Sequence, residues 1–262
     1  MTAKVISSKS NPRFKTLAKL LKSPGIRKHG RALLSGPRQV RELLRDFPHC
    51  CEALLLPEKD GGGLDVAPER IERLRLSADL FQELDLFGTH QPMLLVRVPE
   101  MRAWDGKTHP RGCTLFVPFQ DPANVGTVIR SAAGFGAARV VLLREAAHPF
   151  LPKALRAGGS APFRVPIEAG PSISGLKGGS LPIIGLQAGG LDPAAFRFPD
   201  TFGLLPGLEG PGLPEIPGMK AVLGIPMEPG MDSLNGALAA GIALYAWRTG
   251  PRFPLDIDRM EG

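Results

Sequence analysis

The chain has 262 residues, 43% of them hydrophobic, which is enough to bury a core in one large or two small domains. No stretch approaches the roughly 18 to 20 uncharged apolar residues of a membrane helix, and the first residues lack a signal-peptide pattern, so we expect a cytoplasmic protein. The three cysteines, two of them adjacent, form no Cys-x-x-Cys pair. This spacing excludes a disulfide framework and a standard zinc site, and we expect no metal.

Positive charge is concentrated in the first 46 residues. The chain carries a formal net charge of +7, but residues 1–46 alone contain twelve Lys and Arg against two acidic residues, a balance of +10. The remaining residues carry −3. Such an asymmetry favours an N-terminal part that binds a polyanion such as nucleic acid, with a merely solvated basic surface as the alternative.

Two amphipathic helices are predicted inside this basic segment. The first begins at Pro12, with Asn11 as its cap, and ends at Ser23-Pro24-Gly25; the second follows Gly36-Pro37. Each helix has one apolar face and one basic face. The candidate nucleic-acid contacts are Lys15 and Lys19 on the first helix and Arg38, Arg41 and Arg45 on the second.

Helices and strands alternate along the rest of the chain. A polar stretch over 99–112 separates two parts, so we place a domain boundary near residue 106. We predict helices over 68–76 and 80–87, apolar runs over 53–56 and 93–98, and strands over 113–117, 139–143, 182–187, 202–205 and 220–225. A last helix is capped by Asp232 or Ser233. The second part therefore has the pattern of a mostly parallel α/β sheet covered on both faces.

Two common nucleotide-binding motifs fail in this sequence. Gly106-Lys107-Thr108 lacks the first glycine of a phosphate loop, since Met101 stands five positions before Gly106. Gly134-Phe135-Gly136 follows a predicted helix instead of opening one, and Arg139 replaces the third small residue of a dinucleotide fingerprint. A dinucleotide-dependent oxidoreductase is therefore disfavoured.

Three segments of the second part place polar side chains in loops at strand ends, where α/β sheets bind their ligands. The first contains Asn124 and Gly126, with Arg130 on the following helix. The second is the run Gly207-Leu208-Glu209-Gly210-Pro211-Gly212, and the third is Ile225-Pro226-Met227 followed by Ser233-Leu234-Asn235. Each segment alone also fits an ordinary structural role: a solvated helix cation, a turn carboxylate or a helix cap.

In this order, the three segments resemble the motifs of the SpoU, or TrmH-like, branch of the SPOUT superfamily of RNA ribose 2′-O-methyltransferases. They match the patterns Asn-x-Gly with a later Arg, Gly-x-Glu-Gly-x-Gly, and Ile-Pro-Met with a later Ser-Leu-Asn, over residues 120–245. The front end, with Leu34-Ser35-Gly36 before a helix, is similar to the small substrate-binding domain that many members carry.

The resemblance implies a fold, a cofactor and a set of site residues. Residues 107–262 would form an α/β methyltransferase domain whose parallel sheet contains a deep trefoil knot, and residues 1–106 a smaller α/β RNA substrate-binding domain. S-adenosylmethionine would be the cofactor, and the chain would form a homodimer through the catalytic domain. The cofactor-binding residues so implied are Gly207, Leu208, Ile225, Met227 and Leu234, and the catalytic residues are Arg130, Asn124, Glu209, Ser233 and Asn235.

The implied activity is methylation of a ribose 2′-hydroxyl, and we expect ribosomal RNA as the substrate. A transfer-RNA methyltransferase and a non-catalytic RNA-binding or ribosome-assembly factor remain the alternatives. Two positions depart from the family pattern, because Leu208 stands where Asn, Ser or Ala is usual and Gly236 where Val is usual. Gly236 is expected to weaken the helix start by roughly 1 kcal/mol relative to Ala, and to mark either close packing or a mobile cap.

Overall fold

The computed structural model describes residues 4–58, 68, 70–177, 179–208, 212–231 and 233–250. The chain divides into two compact units, Met1–Glu100 with Ala147–Phe163, and Met101–Ala146 with Arg164–Gly262. The expected boundary near residue 106 thus has its structural counterpart at Met101. The expectation that residues 107–262 form one continuous domain is wrong, since Phe150 and Leu155 are buried in an apolar cluster of the first unit.

The elements are numbered in chain order. The strands are β1 (Lys4–Ile6), β2 (Arg31–Leu34), β3 (Cys51–Pro57), β4 (Glu72–Leu76), β5 (Met93–Arg97), β6 (Gly112–Val117), β7 (Arg139–Leu142), β8 (Ile167–Ala169), β9 (Ile183–Leu191), β10 (Thr201–Pro206) and β11 (Met219–Leu223). The α-helices are α1 (Pro12–Lys19), α2 (Ser23–His29), α3 (Pro37–Asp46), α4 (Ala78–Leu84), α5 (Pro122–Gly134), α6 (Pro152–Gly158) and α7 (Gly236–Thr249).

The first unit is a five-stranded sheet in the order β1-β4-β3-β5-β2. Strands β1, β4 and β3 are parallel, and β5 runs antiparallel to both of its neighbours. Alternate residues of β2 enter two separate apolar clusters, because side chains alternate across a strand. Leu33 joins the cluster that contains Phe14 of α1, whereas Leu34 joins the cluster that contains Val40 of α3. Helices α1 and α3 therefore pack on opposite faces of the sheet.

Both predicted basic helices are confirmed. The Asn11 side chain accepts a hydrogen bond from the Arg13 backbone N–H (2.9 Å) at the start of α1, and Pro37 lies in the first turn of α3. The predicted end of the first helix at Ser23-Pro24-Gly25 is wrong, because α1 ends at Lys19 and Ser23 begins α2. Pro24 fits there because the first turn of a helix needs no backbone N–H.

The helix predicted over 68–76 is also wrong, since the structure has strand β4 over Glu72–Leu76. Leu74 and Leu76 are buried, whereas Arg73 before them and Arg75 between them are only partly covered. This alternation has the period of two that is typical of a strand. The parallel pairing of β4 with β1 and β3 places both leucines in the core.

The second unit is a six-stranded, fully parallel sheet in the order β11-β9-β10-β6-β7-β8. All five predicted strands of this region are confirmed, with β11 ending at Leu223. Helices α5 and α7 pack against each other on one face of the sheet. The expectation of helices on both faces is wrong for the described residues, because the other face carries an apolar cluster built from loop residues such as Ile173, Leu181 and Ile216.

Candidate functional site

A cavity of about 420 Å³ lies at the carboxyl ends of β9, β10 and β11, beside the first turn of α7. Its size falls within the range of roughly 300–1,000 Å³ that is typical of small-molecule sites. The cavity is lined by Leu186, Gln187, Ala188, Pro206, Gly207, Leu208, Gly212, Leu223, Ile225, Met227, Ser233, Leu234, Asn235, Gly236 and Ala239. All five residues expected to bind the cofactor are therefore brought together in one cavity.

Leu208 and Gly212 of the second motif form an antiparallel β-bridge on one side of the cavity, and this pair of residues is called the hairpin below. The Leu208 backbone N–H donates to the Gly212 carbonyl (2.8 Å), and the Gly212 N–H donates to the Leu208 carbonyl (3.1 Å). A Cβ atom on Gly207 would lie 3.1 Å from the Gly212 carbonyl carbon, so the hairpin packs on bare backbone at this position. Glu209 lies outside the described residues.

The first and third motifs are joined by a hydrogen bond between two amides. The Asn235 Nδ2 atom donates to Asn124 Oδ1 at 3.0 Å, although 111 residues separate them in the sequence. The Asn235 Oδ1 atom accepts from the backbone N–H groups of Ala237 (3.0 Å) and Leu238 (3.2 Å), which makes Asn235 the N-cap of α7. The expected cap at Ser233 is therefore wrong, and Asp232 lies outside the described residues.

A second contact ties the same two segments together beneath the cavity. An ideal Cβ atom on Gly236 would lie 2.7 Å from Cε1 and 3.2 Å from Cζ of Phe119. Phe119 follows β6 and is 1% exposed. The departure from the family pattern at Gly236 thus marks close packing, the first of the two possibilities raised by the sequence.

Arg130 is exposed on α5 and does not line the cavity. It lies six residues, or about 9 Å along the helix axis, from Asn124. No hydrogen bond or ion pair links the Arg130 side chain to another residue in the part of the chain that the structure describes. The structure therefore leaves its guanidinium available to an anion.

Gln187 is a lining residue that the sequence analysis missed. Its Oε1 atom accepts a hydrogen bond from the Leu213 backbone N–H at 3.3 Å, which links β9 to the end of the second-motif hairpin. No motif contains Gln187; the one available signal was its position at the end of the predicted strand 182–187. Because β9 pairs in parallel with β10 as far as Leu186, Gln187 lies beside the cavity.

The basic candidates lie on exposed parts of the first unit. Lys15 and Lys19 form the α1 lysine row, and Arg38, Arg41 and Arg45 form the α3 arginine row. The two rows are on opposite faces of the sheet, so one short RNA segment cannot lie along both. Helix α6, with exposed Lys153 and Arg156, packs on the same face as α3, because Leu155 shares its apolar cluster. Arg45 is paired with Asp46, with Nε at 2.6 Å from Oδ1.

Among the described residues that line the cavity, none is charged. Within the described ranges, no three His, Cys, Asp or Glu side chains are grouped as they would be around a metal ion. None of the described helices is long and apolar enough to cross a membrane. The cavity therefore offers apolar walls, backbone groups and neutral amides to a ligand.

Residues 114–245 match the model of the SpoU rRNA Methylase family, which is half of the chain. The chain is 50% identical over 243 residues to a protein of Syntrophobacter fumaroxidans named ribosomal RNA small subunit methyltransferase G 2. That match covers 92% of this chain and 48% of the relative, so the chain spans about half of that protein's length.

Two further comparisons extend over nearly the whole chain. An uncharacterized tRNA/rRNA methyltransferase of Synechocystis is 27% identical over 259 residues, covering 93% of each chain. The crystal structure of an AdoMet-bound rRNA methyltransferase from Sinorhizobium meliloti superposes with a TM-score of 0.74, covering 94% of this chain and 97% of that one, at 21% identity. The last comparison shows that the two proteins share a fold.

Proposed function

The chain belongs to the SpoU rRNA Methylase family, and from this premise we propose that it catalyses S-adenosylmethionine-dependent 2′-O-methylation of a ribose in ribosomal RNA. The observation that carries the proposal is the single cavity in which residues of the second and third motifs meet, with Asn124 of the first motif bonded to its rim. The relatives named as rRNA methyltransferases support ribosomal RNA as the substrate, and one of these names specifies the small subunit.

The residues of the cavity fit S-adenosylmethionine. Its apolar walls, including Ile225, Met227 and Leu234, suit a purine and an aliphatic chain, and the hairpin at Gly207 leaves backbone groups within reach of polar ligand atoms. When bound, the cofactor supplies a methyl group on a sulfonium centre, which is electrophilic without help from a metal. We therefore assign Gly207, Leu208, Ile225, Met227 and Leu234 to its binding.

Arg130 and the neighbouring amides would act on the RNA. A guanidinium stays protonated in proteins and is therefore a poor general base, so we assign Arg130 to holding the phosphate beside the target ribose and stabilising developing charge. Asn124 and Asn235 keep the starts of α5 and α7 in register, which fixes the position of Arg130 relative to the cavity. Ser233 lines the cavity, and Glu209 keeps the orienting role that the family resemblance implies.

The first unit would bind RNA through its basic surface. Phosphate contacts position a protein on nucleic acid, and they come mainly from Lys and Arg. We favour the α3 arginine row as the main contact, because Lys153 and Arg156 of α6 extend the basic surface on that face. The α1 lysine row on the opposite face would contribute through longer-range attraction.

Two further family properties are proposals that specific contacts support. Leu238 and Tyr245 of α7 are 52% and 56% exposed and seven residues apart, which places them on one face of the helix where a second copy of the chain can cover them. The second property is the trefoil knot that the family resemblance implies; Gly190 and Gly224 lie where β9 and β11 pair closely in parallel, since a Cβ on Gly224 would lie 2.5 Å from the Gly190 nitrogen. Sedimentation equilibrium of the wild type and of Tyr245→Asp tests the homodimer; an unchanged mass in the variant contradicts it.

Calorimetry with S-adenosylmethionine, followed by single-turnover methylation of ribosomal RNA, tests the function. We expect donor binding without added metal and methyl incorporation at a ribose 2′-oxygen. Arg130→Ala should leave donor binding nearly intact and lower turnover by about a hundredfold or more, the loss of a few kcal/mol of transition-state stabilisation. Arg130→Lys should restore little, because Lys keeps the charge but loses the planar fork that binds phosphate with two hydrogen bonds.

The same experiment separates the alternatives. Donor binding with incorporation into transfer RNA alone would move the substrate assignment to that RNA. RNA binding without donor binding would indicate a ribosome-assembly factor. Near-normal turnover by Arg130→Ala would return that residue to an ordinary exposed helix position, where substitutions cost little.

A further inference from the structure

Trp104 lies in the segment that leads into the second unit and is fixed to the edge of that unit's sheet. The Trp104 backbone N–H donates to the Ala169 carbonyl, and the Ala169 N–H donates to the Arg102 carbonyl, both at 2.8 Å. Ala103 and Ala169 form a parallel β-bridge. The segment therefore extends the sheet beyond β8, and its backbone is held in place by hydrogen bonds.

The indole ring of Trp104 lies over the face of the sheet opposite α5 and α7. Its centroid is 5.3 Å from that of Phe116, with the two rings nearly perpendicular at 81°. This edge-to-face geometry is a favoured arrangement for aromatic pairs. Phe116 belongs to the buried apolar cluster of this face, and four partly buried residues pack against that cluster: Trp104, Leu208, Leu213 and Met219. Trp104 and Leu208 thus rest on the same apolar surface.

Leu208 also belongs to the wall of the cavity described above, where its backbone pairs with that of Gly212. Leu213 does not line the cavity, but it follows Gly212 directly and its N–H donates to the lining residue Gln187. Both leucines pack against the apolar cluster, so the cluster supports the hairpin from the side away from the cavity.

We propose that Trp104 is a positioning residue for the donor site: its ring completes the apolar surface on which Leu208 and Leu213 seat the hairpin that lines the cavity. This role rests on the proposed function. It also accounts for the departure at Leu208, because an apolar side chain at this position gains an apolar partner surface that Asn or Ser would not use. The role belongs to the ring and not to its polar atom, since the buried Trp104 Nε1 finds no hydrogen-bond partner among the described residues.

Trp247 provides a matched control within the same unit. Its ring packs against Phe202 at 5.7 Å, near the amino-terminal ends of β6 and β10, whereas the cavity lies at the carboxyl ends of the strands. The chain has two tryptophans. Replacing one of them therefore leaves the other as the sole tryptophan and a fluorescence reporter of its own surroundings.

Titration with S-adenosylmethionine tests the proposal by two readouts that do not depend on methylation. In Trp247→Phe, we expect a saturable change in Trp104 emission as the donor binds, and in Trp104→Phe none from Trp247. By calorimetry, Trp104→Ala should raise the donor Kd by about tenfold or more, whereas Trp104→Phe should stay within about twofold. Trp104→Ala and Leu208→Ala together should cost less than the sum of the two single changes, because both act through the same hairpin.

Trp247→Ala controls for a general loss of stability. It removes a ring of equal size at the other end of the sheet, so it should lower the melting temperature and leave the donor Kd within about twofold. An unchanged Kd in Trp104→Ala, a constant Trp104 emission, or an equal loss of affinity in Trp247→Ala would each overturn the proposal. A wild-type protein that binds no donor refutes the proposed function itself, and the role of Trp104 with it.

Discussion

Gly236→Ala is the sharpest test of how the cavity is held together. A glycine at the start of a helix is normally a weak point, and replacing it by Ala should stabilise α7 by up to about 1 kcal/mol. The structure predicts the opposite sign. The new Cβ would lie 2.7 Å from Cε1 of Phe119, about 0.8 Å closer than the lower end of a favourable carbon–carbon contact.

The magnitude follows from how little room Phe119 has. Its side chain is 1% exposed, so its ring cannot move out into solvent to relieve the contact. Adding a methyl group to a closely packed core costs about 1–3 kcal/mol, which exceeds the gain in helix propensity. We therefore expect Gly236→Ala to destabilise the second unit by up to about 2 kcal/mol. Donor binding should weaken as well, because Gly236 lines the cavity and adjoins Asn235.

Thermal unfolding followed by circular dichroism gives the sign of the effect. Gly134→Ala is the matched control: Gly134 is also helical, and no atom lies within 4 Å of an ideal Cβ placed there. It should raise the melting temperature slightly, whereas Gly236→Ala should lower it by a few degrees. Adding Phe119→Leu to Gly236→Ala should recover part of the loss. A higher melting temperature for Gly236→Ala alone would refute the packing argument.

Two other predictions concern the first unit. Burial, with a smaller effect of the Arg27 charge, lowers the pKa of His148 to about 4 from its ordinary value near 6.5, and the Phe150 N–H donates to its Nδ1 atom at 3.3 Å. As the pH falls below 6.5, His148 therefore gains its proton in the unfolded chain before it does so in the folded one, and up to about 3 kcal/mol of stability should be lost by pH 4. Urea unfolding across this range should show the loss. In His148→Asn, the stability should depend less on pH. For RNA binding, Arg38→Gln with Arg41→Gln should reduce the slope of log affinity against log salt by about 2. Lys15→Gln with Lys19→Gln in the α1 lysine row removes the same charge and should reduce this slope less. An equal reduction by both pairs of substitutions would show that RNA contacts both faces of the sheet.

Much of the fold could be predicted because the strongest patterns were local. The apolar runs 113–117 and 202–205 are buried on both faces of a parallel sheet, and such strands are recognisable without any tertiary information. The prediction of a helix at β4 was wrong although Arg73, Leu74, Arg75 and Leu76 alternate in the sequence, because so short an alternation does not separate a strand from a helix. The pairing of β4 with β1 and β3 makes the strand stable. The sequence could not show that residues 147–163 belong to the first unit. Their place there depends on contacts of Phe150 and Leu155 with residues more than a hundred positions earlier, such as Leu34.

The candidate site likewise contains residues that local sequence patterns identified and residues that they did not. The motifs identified the cavity residues because a ligand held by backbone requires glycines and short turns, which leave a recognisable sequence pattern. Gln187, Phe119 and Trp104 belong to no motif, because they act on the motif residues from outside and many side chains can fill such positions. The hydrogen bond between Asn124 and Asn235 could not be predicted either, although both residues were candidate site residues. They are 111 positions apart in the sequence, and no local pattern shows that they are in contact.

The composition of residues 199–230 explains two features of the second unit together: the cavity, and the described loops that cover one face of the sheet in place of α-helices. This segment contains seven glycines and seven prolines, and it supplies β10, β11 and seven of the fifteen described residues that line the cavity. In a doubly wound sheet the connections on the second face are helices, which bury an apolar face but keep their backbone groups for themselves. Here loop residues such as Ile216 and Leu213 cover that face instead, so the same chain segments bury apolar side chains and present free backbone to the cavity. Core packing and cofactor affinity are therefore coupled in this unit, and substitutions in the apolar cluster beneath the hairpin should change donor binding more than substitutions of equal size under α5 and α7.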